Sequence, residues 1–273
     1  QQIQRAAALV CAAELERRAL AQSDERWTGT PFRLGMWVGS KVAPNRLRDA
    51  AEAIADAHDR GEARGSSPKQ LVSCPWCGTT IEVVGLQKDP VTDRALLYCV
   101  DSTGECPFTQ AGSPGEGIPL VTVDDDIYRL VPAFLISTVD KFAQLPWEGA
   151  LTHMFGRVDR SCSRHGYRHP DLDARVGCGA DTHPARGIKP MARTTPVRPL
   201  RPPDLILQDE LHLISGPLGT LVGLYETAVD RLVTWTLNGQ PVRPKVVAST
   251  ATIRRAREQG NALFWRDLRV FPP

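Results

Sequence analysis

No apolar run in the chain reaches the ~20 residues that a bilayer span requires, and no charged-then-apolar leader opens it. Neither a membrane helix nor an export signal is expected, and a cytoplasmic location is. An excess of one charge is missing too. With 33 Lys and Arg against 31 Asp and Glu, the net charge is only +2, so any surface for nucleic acid must be a local patch. The chain also lacks the contiguous Gly-Lys-Ser/Thr of a phosphate-binding loop. Gly35 to Lys41 has a Gly and a Lys at a suggestive interval, but Lys41 follows Ser40 and precedes Val42, and bulky Met36 and Trp37 would block the backbone cradle. That segment reads as sheet. An initiating Met is absent, since the chain opens with Gln1 and stops at Pro272-Pro273, and a piece of a longer protein is expected. What remains is ordinary soluble composition, 42% apolar and 23% charged over 273 residues, enough for one large domain or two small ones.

The chemistry begins where Leu205, Ile206 and Leu207 end abruptly in Asp209 and Glu210. The apolar run reads as a strand of a parallel sheet covered on both faces, which puts the two acids at its carboxyl end, where open α/β sheets hold ligands. Two carboxylates there can divide one job. Asp209 would hold Mg²⁺ and Glu210 would polarise a water for attack on a phosphoryl group; the bland alternative is a strand end capped by solvated acids. About one helix later, Lys245 to Ala248 repeats the strand pattern and ends in Ser249, Thr250 and Thr252, giving a strand-helix-strand unit with two neighbouring chemical tips. Leu218 to Leu237 reads as the long helix between them.

Earlier in the chain, residues 4–22 read as a helix with Ala7, Ala8, Cys11, Leu15 and Ala19 on one face, and Cys11 as a buried small apolar residue. Phe32 to Gly39 reads as a strand, and Pro44-Asn45 opens a helix through Leu47, Ala51, Ile54 and Ala55. From Gly61 to Pro68 the composition shifts to that of a linker. Cys74 and Cys77 then form one knuckle of a zinc ribbon, because two intervening residues let both sulfurs reach one tetrahedral ion, and Gly78 permits the turn beneath. Cys99 and Cys106 can close the site across a wider gap. Ile81 to Val84 and Ala95 to Tyr98 have the strand character of the ribbon's hairpin. A redox pair or a disulfide would use the same residues, although a cytoplasmic chain disfavours the disulfide.

Val131 to Ser137 is again strand-like, and Thr138 to Phe142 begins a helix whose free N–H groups, hydroxyl and Lys141 can grip a backbone phosphate. Thr138 as a plain helix cap is the alternative. A second ligand-rich stretch follows. Cys162 with His165 and Cys178 with His183 both have zinc spacing, Gly177 and Gly179 free the second knuckle to turn, and His169 leaves the ligand assignment open. From Arg186 to Pro203 there are five basic residues, five prolines and no acid, the composition of an extended loop that can line a nucleic-acid path.

Asp209-Glu210-Leu211-His212 and Thr250-Ala251-Thr252 resemble the DExH box and the Ser/Thr-Ala-Thr motif of superfamily 2 helicases, with Gln208 where that superfamily keeps an apolar residue. Thr138 and Lys141 resemble its Thr-Pro-Gly/Asp-Arg motif, with Val139 for Pro. Gln1 to Ala7, Gly35 to Gly39 with Pro44-Asn45, the Cys-rich stretch, Leu135 to Lys141, the DExH box and Phe271-Pro272-Pro273 together resemble the large helicase of DISARM-type bacterial anti-phage defence. The resemblance implies an α/β fold: a RecA-like parallel sheet of the P-loop NTPase type, flanked by helices, with zinc-ribbon-like inserts. The lobe would occupy residues 1–65, 116–157 and 204–273, the ribbon 66–115, and the second insert with its basic loop 158–203. It further implies ATP, Mg²⁺ and Zn²⁺ as cofactors, single- or double-stranded DNA and other defence proteins as partners, a relay role for His212, Thr250 and Thr252, and a second lobe and phosphate-binding loop outside this chain. The alternative is a non-enzymatic zinc module that binds nucleic acid.

Overall fold

Without Gly or Pro, the Ala- and Arg-rich opening of the chain forms helix α1 (Gln2–Leu20). Its buried face is Ala7, Val10, Cys11 and Glu14 rather than the expected stripe through Ala8, Leu15 and Ala19. The reason is Glu14, fully buried because Arg17, Arg18 and the Phe32 N–H all donate to its carboxylate. Cys11 is fully buried, as expected.

This computed structural model describes residues 2–211 and 216–249, with 260, 261, 263–266 and 268–271 beyond them. His212, Thr250 and Thr252 lie outside the described residues. The chain divides into two compact units, Gln1–Lys141 with Asp159–Val197, and Phe142–Val158 with Arg198–Pro273. After α1 the first unit contains β1 (Leu34–Trp37), α2 (Leu47–Arg60), β2 (Leu86–Lys88), β3 (Ala95–Leu97), β4 (Leu120–Val121), α3 (Asp124–Leu130) and β5 (Phe134–Ser137). It continues with β6 (Arg160–Cys162), β7 (Gly166–Tyr167), α4 (Pro170–Val176), β8 (Thr182–His183) and β9 (Ala192–Pro196).

Strand β1 is the centre of a three-stranded parallel sheet, flanked by β4 and β5. Gly35 within it pairs with Leu135, and a Cβ at this position would lie 2.7 Å from the Leu135 side chain and 2.9 Å from Pro132. Of the segment read as sheet, only Leu34–Trp37 is strand, and Ser40 and Lys41 lie in a turn beyond it. Trp37 is fully buried, and its indole N–H donates to the Tyr128 hydroxyl at 3.0 Å. Helix α2 starts at Leu47, two residues after the expected Asn45, and buries Leu47, Ala50, Ile54 and Ala57. The ribbon's hairpin is β2 with β3, not Ile81 to Val84 with β3. A 3₁₀ turn occupies Val83–Gly85, and Gly85 passes so close to the Tyr98 carbonyl that a Cβ would sit 2.5 Å from it.

The second unit holds β10 (Leu205–Gln208), α5 (Gly216–Val233), β11 (Trp235–Leu237), β12 (Gln240–Val242) and β13 (Lys245–Ala248). β10 and β13 pair in parallel, Leu205 beside Lys245 through Gln208 beside Ala248. Helix α5 stops at Val233, short of the expected Leu237. Asn238 and Gly239, both at positive φ, turn β11 into β12 as a tight hairpin, and the aromatic and β-branched residues before them pair as strand. The expectation of a strand buried on both faces is not met. Leu205 is 50% and Leu207 59% exposed, whereas Ile206 packs beside Phe155, Val229 and Val233, so the described residues cover one face of β10. The chain is a mixed α/β protein with parallel strands in both units.

Candidate metal centres and the acidic corner

Cys74 and Cys77 bracket a tight turn in which the Gly78 N–H donates to the Cys74 carbonyl at 3.0 Å, with Gly78 at φ 82°. Cys99 follows β3. The wider gap to Cys106 is closed by Asp101, whose carboxylate accepts the Thr103 N–H at 3.1 Å and the Cys106 N–H at 3.0 Å. This brings all four sulfurs within 4.8 Å of one another, with Cys77 to Cys99 at 3.5 Å and Cys74 to Cys106 at 3.8 Å. Zn–S bonds of ~2.3 Å in a tetrahedron set sulfurs ~3.8 Å apart, so the donors fit zinc, and they are too far apart for an S–S bond of ~2 Å. All four are free thiols. Burial raises the Cys99 thiol and pushes Cys106 up to about 12. At Cys77 burial works in the same direction, but hydrogen bonding with the Thr79 hydroxyl and N–H outweighs it and brings the thiol to about 7. A bound dication would hold the buried thiols as thiolates. Cys74, Cys99 and Cys106 also pack in one core with Val10 and Cys11 of α1, Leu34 of β1 and Ile54 of α2, so this centre is built into the first unit's interior.

The second centre grows from a four-stranded antiparallel sheet ordered β7, β6, β9, β8. Cys162 ends β6 and His183 ends β8, and β9 lies between these strands, pairing Thr194 with Cys162 and Ala192 with His183. The proline-rich basic stretch expected to be all loop thus contributes the strand that aligns two candidate metal ligands. Its extended backbone has partners on both sides. Gly166, at φ 84°, lets the β6–β7 knuckle press on α3, where a Cβ would meet the Arg129 carbonyl at 2.5 Å. The ligand atoms of Cys162, His165, Cys178 and His183 lie within 4.8 Å of one another, with Cys162 Sγ 3.5 Å from His165 Nδ1 and Cys178 Sγ 3.2 Å from His183 Nε2. His169 is elsewhere. Its Nδ1 accepts the Asp171 N–H at the start of α4, and it is not among the four clustered donors. Burial, with Arg129 nearby, lowers His165 to about 4, so it is a neutral imidazole at physiological pH, the form that binds metal. Both donor sets suit Zn²⁺.

At the carboxyl ends of β10 and β13, the Asp209 carboxylate accepts a hydrogen bond from the Ser249 hydroxyl. Glu210 beside it is exposed and has φ 52°, a left-handed conformation that costs a non-glycine residue about 1–3 kcal/mol and is found preferentially at functional positions. Thr138 is exposed and precedes the 3₁₀ turn Val139–Gln144. Lys141, expected to reach phosphate, is only 2% exposed. Its ammonium donates to Asp124 at 2.5 Å and Asn45 at 3.2 Å and lies 5.6 Å from the centre of a Trp37 ring.

Sequence reasoning passed over Asp124, Asp125 and Asp126, all buried. Asp125 accepts the Leu47 N–H at 3.1 Å and pairs with Arg175 at 2.6 Å, tying α2 to α4. Three consecutive acids after the apolar-flanked Thr122 were the available signal. No protein-family model matches the chain. Its whole length aligns at 36% identity, over 278 residues, with DISARM protein DrmA of Bacillus paralicheniformis, and it spans 23% of that protein's length. Over its whole length the chain is therefore similar to about a quarter of DISARM protein DrmA.

Proposed function

We propose that this chain is part of an ATP-dependent DNA helicase or translocase acting in the cytoplasm in bacterial phage defence. It would supply most of a first RecA-like lobe, residues 1–65, 116–157 and 204–273, with zinc inserts at 66–115 and 158–203. The observation that carries the reading is the parallel pair β10 and β13, whose carboxyl ends join Asp209 to Ser249, with Glu210 alongside in a strained conformation. Similarity to DISARM protein DrmA supports the defence role.

Asp209 would hold the Mg²⁺ of a bound nucleotide, and that ion would supply charge stabilisation at the phosphates. Glu210 polarises the attacking water. His212, Thr250 and Thr252 relay the nucleotide state to the DNA surface. Thr138 contacts the DNA backbone, and Lys141 anchors the Thr138 turn from inside through Asp124 and Asn45. The basic residues from Arg186 to Arg201 add a salt-sensitive, sequence-independent attraction for phosphate. Other defence-system proteins are the expected partners. The phosphate-binding loop and the arginine of a second lobe would come from other parts of the full-length protein, so the isolated chain is expected to be inactive. The reading is tested by DNA-stimulated phosphate release from the full-length protein. It should be robust in the native form and almost lost in Glu210→Gln, and equal turnover in the two would remove Glu210 from the chemistry.

A further inference from the structure

Beside the second metal centre, the first unit contains a pocket of about 280 Å³ whose wall carries four arginines, Arg33, Arg94, Arg129 and Arg164, and a single carboxylate, Asp126. Buried cations are normally matched by acids, and here the match is incomplete. Arg33 and Arg94 share Glu116. Arg129 shares Asp173 with Arg168, at a long 3.4 Å. The hydrogen bond of Arg164 goes to the Pro190 carbonyl, which carries no charge. Asp126 feels the charges of Arg94 and Arg129 and accepts the Ala95 N–H, so it is one carboxylate for two guanidinium groups.

The hydrogen-bond inventory points to the same place. Among the described residues five buried side-chain polar atoms have no partner, and three of them are the Nε–H groups of Arg94, Arg129 and Arg164. Arg129 is 2% exposed, so its unmatched donor cannot be turned out to bulk water. Ser161 and Ser163 add hydroxyls to the same wall. Arginines from α3, from the β2–β3 hairpin and from the β6–β7 knuckle line this one pocket, a set that fits an anion with acceptors facing several ways, as a phosphate has, better than a flat carboxylate. The volume falls just below the ~300–1,000 Å³ of pockets for drug-sized ligands, too small for a duplex.

We propose that this pocket binds the phosphate group of a small phosphorylated molecule, of mononucleotide size or less. Neither Asp209 nor Glu210 lines the pocket, and the proposal does not rest on the ATP-dependent activity proposed for them. It is equally distinct from metal ligation, since the guanidinium groups only adjoin the Cys162 and His165 knuckle.

The test is calorimetric titration of the zinc-loaded full-length protein in an Asp209→Ala background, so that the nucleotide site proposed above does not contribute. Inorganic phosphate should bind saturably. AMP should compete with it, and adenosine should not. Arg164→Gln, which breaks no ion pair, should weaken phosphate binding at least tenfold with zinc content and melting temperature unchanged, because a charge-assisted bond is lost. Arg129→Lys, which keeps the charge but removes the Nε donor, should weaken it as well. Absence of saturable phosphate binding, or binding that both substitutions leave unchanged, would overturn the proposal. So would binding confined to DNA oligonucleotides.

Discussion

The Ser249 hydroxyl donates to the Asp209 carboxylate across 40 positions of sequence, and the backbone reinforces the contact, the Leu211 N–H bonding the Ser249 carbonyl at 2.8 Å and the Ser249 N–H the Gln208 carbonyl at 2.9 Å. Asp209 is therefore oriented by the neighbouring strand end. Ser249→Ala should lower DNA-stimulated ATP hydrolysis by the full-length protein about ten- to a hundredfold while the fold persists. Unchanged steady-state turnover would show that the contact does not position the carboxylate for chemistry.

Both metal centres have their four donors gathered, so purified protein should carry two zinc ions per chain by elemental analysis. Removing one ligand opens a closed shell inside the core that also holds Cys11. Cys74→Ser should thus lower the melting temperature far more than Cys11→Ser. Equal effects, or protein without metal, would contradict the ribbon assignment.

Lys141 offers a choice between two mechanisms for the loss of one side chain. Asp124 is held at about 6, raised by burial and only partly restrained by the Lys141 ammonium, so Lys141→Ala would leave a buried carboxylate without its cation. The expected outcome in chemical denaturation is a loss of about 3–5 kcal/mol. Weakened DNA binding at unchanged stability would instead make Lys141 a direct contact.

Glu116 carries a pH signature. Burial alone would raise its carboxyl, but Arg33 and Arg94 outweigh that and hold it at about 2, below its ordinary 4.5. A group depressed on folding adds stability above its unfolded pKa and loses it as pH falls through the folded value. The window therefore runs from about pH 5 to pH 2, and the shift corresponds to roughly 3 kcal/mol. Glu116→Gln should be less stable than the native protein at neutral pH, and the gap between them should close on acidification. A gap independent of pH would rule out this ion pair as its source.

Much of this architecture was legible wherever the signal was local. Cysteine spacing gave both donor sets, and strand patterning placed β1, β5, β10 and β13 with the acids at the end of β10. The misses were long-range. Glu14 reads as a surface residue until Arg17, Arg18 and Phe32 converge on it. Leu205 and Leu207 read as buried because a run of apolar residues cannot say whether a second layer will cover it. The stretch around Ala192 read as loop from its prolines, although its partner strands, β6 and β8, flank it only in space. His169 was indistinguishable from a ligand until it capped α4.

The central claim is that Glu210 polarises the attacking water while Asp209 holds the nucleotide's metal ion. The most direct measurement is single-turnover ATP hydrolysis by the zinc-loaded full-length protein with DNA present, comparing the native form with Glu210→Gln, and nucleotide binding measured in parallel. The account predicts binding within a few-fold of native and a hydrolysis rate lower by about two or more orders of magnitude, as expected for a lost general base. Hydrolysis at the native rate in Glu210→Gln would contradict it.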